Sequence, residues 1–207
     1  VSIFKAVIAG IRSRKPFEDP ESRLGWYVIL ATIPAGLGGL LLKIKVEAAF
    51  SRPVITAVLL FVTAVMLMLA EIFSRKERSL ESISLLDAVV MGFFQLLAIF
   101  PGISRSGATI SGGLSRGLKR EAAAKFSFLM SIPIMLAAGL LSVLDLVKVP
   151  DVGSFLPVLS VGFFAALGIG YLSIRWLLGF LKTRSLIPFA VYCAVVSVLT
   201  VFIAYFR

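Results

Sequence analysis

The chain has 207 residues, 59% of them hydrophobic, and a mean hydropathy of +1.02, and these values predict an all-α integral membrane protein. The formal net charge is +10, but the cations lie in short loops between apolar stretches, where the positive-inside rule explains them without a nucleic-acid partner. The chain has no His, and its only cysteine, Cys193, lies in an apolar run, which excludes a disulfide framework, phosphohistidine chemistry and Cys or His metal sites.

Five apolar stretches are near or above the ~20 residues that a helix needs to cross a bilayer. They comprise residues 24–42, 54–73, 126–147, 155–180 and 186–206. Between the second and third lie two shorter apolar pieces, residues 86–100 and 106–118, and each is too short to cross alone. The polar sequence Pro101-Gly102-Ile103-Ser104-Arg105-Ser106-Gly107 joins them. We therefore predict a polytopic bundle with five full spans and one helical hairpin.

The distribution of loop cations indicates that this hairpin is re-entrant, so that it enters and leaves the membrane on one side. With a re-entrant hairpin, fifteen cations share one side and five oppose them, whereas a full crossing by residues 86–100 removes the bias. The cation-rich side is then cytoplasmic. The majority set is Lys5, Arg12, Arg14, Lys15, Arg23, Arg75, Lys76, Arg78, Arg116, Lys119, Arg120, Lys125, Arg175, Lys182 and Arg184, and the opposing set is Lys43, Lys45, Arg52, Lys148 and Arg207.

The joining loop carries the residues that could perform chemistry. An arginine inside a membrane predicts a functional site, and Arg105 can hold a phosphate or carboxylate through two parallel hydrogen bonds. Non-helical backbone at membrane depth must line a cavity or be buried in protein, and the helix that begins near Ser106 would direct its N-terminal amides to the same place. The candidate ligands of an anion are Gly102, Ser104, Arg105, Ser106, Gly107 and Thr109. The loop therefore predicts an anion-binding site, phosphate being the commonest biological case.

Other interpretations of these residues remain open. Arg105 could instead pair with a buried acid, and Glu71 and Asp87 are the nearest ones. The Thr109 hydroxyl could bond to its own helix backbone, as is common in transmembrane helices. Gln95 is expected to make a hydrogen bond between helices, with contact to the cavity as the alternative. The glycines at positions 112, 113 and 117 are expected to allow close packing of the returning helix.

The order of spans predicts a single membrane domain, residues 1–207, related to an inverted-repeat fold. Residues 86–207 form one unit, the hairpin 86–118 followed by three spans, and a preceding copy of a unit with three spans would lie inverted in the membrane. Residues 1–85 contain only two spans and are interpreted as the remainder of the first repeat. We expect the missing hairpin and span, roughly 60 residues, to precede Val1 in a longer protein.

The residues resemble one family specifically. The motif from Phe94-Gln95 through residues 101–113, followed by Phe126-Ser127-Phe128-Leu129, is similar to undecaprenyl-diphosphate phosphatases of the bacitracin-resistance type. The resemblance continues at Ile33-Pro34-Ala35, at Ile132-Pro133 and from Ile187 to Tyr192, so it covers nearly the whole chain. The resemblance implies an enzyme of the plasma membrane that removes the terminal phosphate of undecaprenyl diphosphate and recycles this carrier for cell-wall synthesis. Its site would open toward the extracytoplasmic face.

The same resemblance implies roles for individual residues. Ser104, Arg105 and Thr109 would bind the diphosphate, and Ser104 and Arg105 are the catalytic candidates. The family has a second motif, with paired Glu residues and a hydroxyl-rich cluster, for acid-base and nucleophilic work and for a divalent cation, Mg or Ca. These 207 residues do not contain that motif, so no metal ligand is assigned, and the chain is expected to hold the binding half of a site. The expected partners are undecaprenyl diphosphate and membrane lipid, with a homo-oligomer left open. The alternative function is a transporter or flippase of anionic lipids that does not hydrolyse them.

Overall fold

The computed structural model describes residues 2–15, 17–146, 148 and 152–206. Within these ranges the chain forms nine α-helices and one short 3₁₀ turn at Leu80–Ser82. The helices are α1 (Ser2–Arg12), α2 (Pro20–Leu41), α3 (Lys43–Phe50), α4 (Pro53–Phe73), α5 (Leu85–Leu97), α6 (Arg105–Ser115), α7 (Arg120–Leu146), α8 (Val152–Thr183) and α9 (Ile187–Tyr205). Five of them, α2, α4, α7, α8 and α9, are long and apolar enough to cross a membrane, which confirms the predicted five spans and the helical bundle.

The helix starts follow local sequence signals. Asp19 caps α2 by accepting a hydrogen bond from the Ser22 amide at 2.8 Å, and Pro20 occupies the first helical position, where a missing N–H costs nothing. Ser84 and Asp87 form a reciprocal capping box at the start of α5. Ser104 caps α6 by accepting from the Gly107 amide at 3.2 Å. Both helices of the predicted hairpin thus begin where the sequence supplies a cap.

The contacts between helices fix the direction of each one. Asp87 at the start of α5 lies 2.9 Å from Arg116 at the end of α6, so α5 and α6 form an antiparallel hairpin whose two outer ends meet. Glu71 near the end of α4 pairs with Arg120 at the start of α7. The end of α4, the start of α5, the end of α6 and the start of α7 therefore lie together, and we call this the cationic end of the bundle. Since both outer ends of the hairpin lie there, the structure has the re-entrant arrangement.

Small residues allow the hairpin to pack closely against its neighbours. A Cβ atom at Gly92 of α5 would lie 2.6 Å from the backbone oxygen of Ala31 in α2, and one at Gly113 of α6 would lie 2.7 Å from Ala123 in α7. The predicted packing role is confirmed for Gly113. Gly117 does something else, because it has a φ of +78° and forms the turn after α6, where its carbonyl accepts hydrogen bonds from the amides of residues 77 and 78.

Candidate functional site

The tip of the hairpin lies beside the middle of α4. Thr63, the eleventh of the 21 residues of α4, is fully buried and accepts a hydrogen bond from the Ser104 amide at 3.0 Å. Its hydroxyl also lies 3.3 Å from two carbonyls, that of Gly102 in the loop and that of Leu59 in its own helix, which share its one proton. Ten residues of helix separate Thr63 from Phe73 at the end of α4, so the loop lies about 15 Å from that end. The sequence reasoning missed Thr63, because nothing in an apolar helix distinguishes a threonine that supports a loop 39 residues away.

Gly102 is required at the tip for two independent reasons. Its φ of +97° is a conformation that residues with a side chain rarely adopt. A Cβ atom there would lie 2.1 Å from the backbone oxygen of Thr56 in α4. Gly107 has little space for a side chain, because a Cβ atom there would lie 3.1 Å from both Ser104 and Thr63. Both glycines therefore shape the loop, and their predicted contacts with a ligand stay predictions.

Arg105 begins α6 and remains without an acidic partner. It is partly exposed, but its Nη1 atom is buried and has no hydrogen-bond partner. Among the described residues no carboxylate lies within ion-pair distance of it, because the two candidate acids are occupied elsewhere. Pairing of Arg105 with Glu71 or Asp87 is therefore wrong. A buried guanidinium donor without an acceptor costs free energy, and an anionic ligand would supply that acceptor.

Two buried carboxylate clusters hold the cationic end of the hairpin in place. Asp87, which is fully buried, accepts hydrogen bonds from Arg78 Nη2 at 2.6 Å and Arg116 Nε at 2.9 Å. The same contact raises the pKa of the Arg78 guanidinium above its ordinary value, since the hydrogen-bonded carboxylate favours the charged form. Glu71 accepts from Arg120 Nε at 3.0 and 3.1 Å and from the Leu186 amide at 3.3 Å. These acids stabilise the base of the hairpin and are not available to the loop.

The first turn of α6 offers further donors near Arg105. The amides of Ser104 and Gly107 are already bonded, to Thr63 and to the Ser104 hydroxyl respectively. The next two amides, those of Arg105 and Ser106, belong to the helix start, where backbone donors have no intrahelical acceptor. Together with the guanidinium they form a group of donors that suits an oxyanion. No base bonds to the Ser104 hydroxyl in the described part of the chain, so its catalytic role stays a prediction.

Thr109 points away from this group of donors. Its hydroxyl donates to the Arg105 carbonyl at 2.8 Å and makes a short hydrogen bond with the Ser127 hydroxyl of α7. Thr109 is 1% exposed. The backbone bond that the sequence left open for Thr109 is thus present, and it places the hydroxyl in the interface between α6 and α7. Direct contact between Thr109 and substrate has no support from this geometry and stays a prediction.

Gln95 is another polar side chain of the hairpin without a hydrogen-bond partner, as are Arg105 Nη1 and the Ser111 hydroxyl. It is 2% exposed, and neither its Oε1 nor its Nε2 atom has a hydrogen-bond partner, so the expected hydrogen bond between helices is wrong. The contacts of Asp87 with Arg116 and of Met91 with Gly113 set the pairing of α5 and α6. That register places Gln95 level with Thr109, about one helical turn from Arg105. The unpaired amide therefore lies on the part of the hairpin that holds the loop.

The donors near the loop do not fit a divalent cation. Residues 88–120 contain no Asp, Glu or His. Among the residues that the structure describes, no group of three or more acidic, Cys or His side chains could hold a metal ion. Magnesium and calcium are bound by carboxylate and carbonyl oxygens, whereas Arg105 and the helix amides are donors that repel a cation.

The fold and the site define a class of protein: a polytopic helical membrane protein with a re-entrant hairpin whose tip carries an arginine that has no acidic partner among the described residues. The sequence model for "Bacitracin resistance protein BacA" matches residues 1–199, and the chain belongs to this family. A protein from Methanobrevibacter smithii named undecaprenyl-diphosphatase is 44% identical over 184 residues, which cover 88% of this chain and 66% of that protein.

Two further relatives carry the same name. The one from Myxococcus xanthus is 40% identical over 199 residues, which cover 96% of this chain and 67% of the relative. The one from Corynebacterium striatum is 43% identical over 194 residues, with 92% and 68% covered. The chain thus spans about two thirds of the length of the curated relatives that it matches.

Proposed function

We propose that the protein to which this chain belongs hydrolyses undecaprenyl diphosphate to undecaprenyl phosphate and phosphate, and that the hairpin tip binds the diphosphate group. The observation that carries the proposal is the unpaired, buried Nη1 of Arg105 at the start of α6. The relatives at 40–44% identity that are named undecaprenyl-diphosphatase support the substrate. Hydrolysis of this lipid returns the carrier to cell-wall synthesis, which agrees with the family's association with bacitracin resistance.

The residues of the tip would act by position and charge. Arg105 would bind two phosphoryl oxygens and stabilise the negative charge that these oxygens carry during transfer to water. The free amides at the start of α6 would add hydrogen bonds and the positive end of the helix dipole. The hydroxyls of Ser104 and Ser106 would orient the diphosphate. The general base would be a group outside the loop. The ligands of the divalent cation that the resemblance implies would also lie outside the loop.

The loop would open toward the extracytoplasmic side of the plasma membrane. The loops before α5 and after α6, at the cationic end, are rich in Lys and Arg. Because cytoplasmic loops are rich in these residues, the cationic end would be cytoplasmic and the tip would face the other side. Replacing Cys193 by Ser, together with any cysteine elsewhere in the complete protein, and introducing Ile103→Cys would place one thiol at the tip. Labelling by an impermeant maleimide from outside intact cells supports the orientation, and labelling only after lysis contradicts it.

Phosphate release measured in proteoliposomes tests the activity. With the complete protein and undecaprenyl diphosphate, Arg105→Ala should reduce release by at least about 100-fold, since one charged bidentate contact contributes about 3 kcal/mol. Arg175→Ala removes an exposed arginine of α8 and is the matched control. Unchanged release by Arg105→Ala would refute the role of this residue. Transfer of the lipid across the bilayer without phosphate release would instead favour a transporter.

A further inference from the structure

Two adjoining cavities lie between α4 and the hairpin, one at the cationic end and one that extends from there along α4 to Met66. The first has a volume of about 360 Å³, and its polar lining includes Arg75, Arg78 and Arg116. The second has a volume of about 340 Å³ and is lined mainly by apolar side chains of α4 and by Phe94 of α5. Both cavities include Phe73, Ser74 and Ser115 in their walls, so a charged mouth and an apolar groove adjoin each other.

The charged mouth has guanidinium groups that the fold does not use. Arg78 is fully engaged, because its two terminal nitrogens donate to Asp87, to the Arg116 carbonyl and to the Ser82 carbonyl. Arg116 uses its Nε on Asp87. Arg75 is exposed and forms no ion pair with any described acid. Arg75 and the terminal nitrogens of Arg116 are therefore available to a ligand.

The local charge favours an anion despite two opposing features. Glu77 lies in the wall of the mouth, and the C-terminal ends of α4 and α6 carry partial negative charge. The surrounding segments nevertheless hold more cations than acids. Within residues 71–78, 87 and 116–120 the cations are Arg75, Lys76, Arg78, Arg116, Lys119 and Arg120, and the acids are Glu71, Glu77 and Asp87. The excess of positive charge would draw an anionic group into the mouth.

The depth of the two cavities matches a lipid. Ser74 and Arg116 are the C-cap residues of α4 and α6, so the mouth lies where the apolar helices end and the headgroup layer begins. The side chain of Phe73 beside it is 78% exposed. The apolar groove continues toward the membrane interior along Met66, Leu69 and Ala70 of α4. The Ser74 hydroxyl, which is buried and has no partner, lies between the two regions as a further donor.

We propose that these cavities bind one anionic phospholipid of the cytoplasmic leaflet, with its phosphate held by Arg75 and Arg116 and an acyl chain in the groove between α4 and the hairpin. The 11 residues of α6 separate the charged mouth from Arg105 by about 16 Å. The choice of leaflet rests on the proposed orientation, whereas the lipid site does not depend on the proposed hydrolysis at the tip. A lipid in this place would join the end of α4 to the base of the hairpin.

Lipid titration of the complete protein in detergent, followed by native mass spectrometry, tests the site. Dioleoylphosphatidylglycerol should bind more tightly than dioleoylphosphatidylcholine. The double variant Arg75→Gln/Arg116→Gln should weaken phosphatidylglycerol binding about tenfold, since each basic residue near a headgroup contributes about one kilocalorie or less per mole. The control Arg175→Gln/Arg184→Gln removes two exposed cations, one in α8 and one in the turn after it, and should change binding less than twofold. Equal losses in the two double variants, or no preference for phosphatidylglycerol, would overturn the proposal.

Arg116 also donates to the buried Asp87, so the double variant could lose binding because it folds less well. Two single variants that leave this contact intact separate lipid binding from folding. Arg75→Gln alters no described hydrogen bond and should weaken binding about threefold. Ala70→Trp fills the groove without changing charge and should also reduce phosphatidylglycerol binding, whereas Leu159→Trp on the exposed face of α8 should not. Full phosphatidylglycerol affinity in both Arg75→Gln and Ala70→Trp would refute the site. Retention of undecaprenyl phosphate but not of phosphatidylglycerol would refute the phospholipid as its occupant.

Discussion

Thr63→Val should release the tip of the hairpin from α4. The threonine hydroxyl accepts from the Ser104 amide at 3.0 Å and donates toward the Gly102 carbonyl at 3.3 Å, and valine has nearly the same shape without the hydroxyl. A net hydrogen bond contributes about 1 kcal/mol, and a buried group left unpaired costs about 1–3 kcal/mol. The expected loss of local stability at the tip is therefore about 2–4 kcal/mol.

Hydrogen exchange detected by mass spectrometry measures this loss directly. Peptides that cover residues 98–107 should exchange at least about 30-fold faster in Thr63→Val, because 2 kcal/mol of local opening free energy corresponds to that factor. Thr200→Val is the matched control, since the Thr200 hydroxyl bonds only to the Val196 carbonyl of its own helix, at 2.8 Å. Equal exchange at the tip in the two variants would refute the role assigned to Thr63.

Three further substitutions probe the tip, the base and the packing of the hairpin. Gly102→Ala would place a side chain on a residue with a φ of +97°, and its Cβ would lie 2.1 Å from a backbone oxygen. The substitution should therefore lower the thermal unfolding temperature and weaken binding of inorganic pyrophosphate. Unchanged values of both would contradict this reasoning. Asp87→Asn leaves two arginines without their buried carboxylate and should cost about 3 kcal/mol of unfolding free energy, whereas Asp145→Asn on an exposed helix end should cost less than about 0.5 kcal/mol. Thr109→Val should lower stability by about 1 kcal/mol and change pyrophosphate affinity less than twofold, and a tenfold loss of affinity would support Thr109 as a substrate ligand.

The sequence predicted the hairpin well because two independent signals agreed. Length showed that residues 86–100 and 106–118 cannot cross a bilayer alone, and the loop cations required both outer ends on one side. Both signals depend on the local sequence and on the membrane, so the hairpin could be predicted without a structure. The caps Ser84 and Ser104, which set the helix starts, were found only in the structure.

The partners of the polar side chains were harder to predict. Glu71 and Asp87 looked available to Arg105, but the fold brings Arg120, Arg78 and Arg116 to them from distant parts of the chain. A charge in the sequence shows that a partner is needed and does not show which one the packing supplies.

Three further residues have roles that depend on tertiary packing, which the sequence alone does not show. Gln95 was expected to bond across helices, yet it is buried and its side-chain amide has no hydrogen-bond partner. Gly117 was expected to serve packing, yet it forms a left-handed turn. Thr63 was not recognised because its partners lie about 40 residues away, and pairing over that distance is set by the tertiary fold.

Binding of undecaprenyl diphosphate to the complete protein in lipid nanodiscs tests the central claim most directly, because it reports on the tip without requiring turnover. Arg105→Gln should weaken binding about 100-fold, while the control Arg175→Gln should remain within twofold of the unsubstituted protein. Undecaprenyl phosphate should lose less affinity than the diphosphate in Arg105→Gln, since it carries fewer phosphoryl oxygens. Diphosphate affinity in Arg105→Gln within twofold of the unsubstituted protein would contradict the assignment of the tip as the diphosphate site.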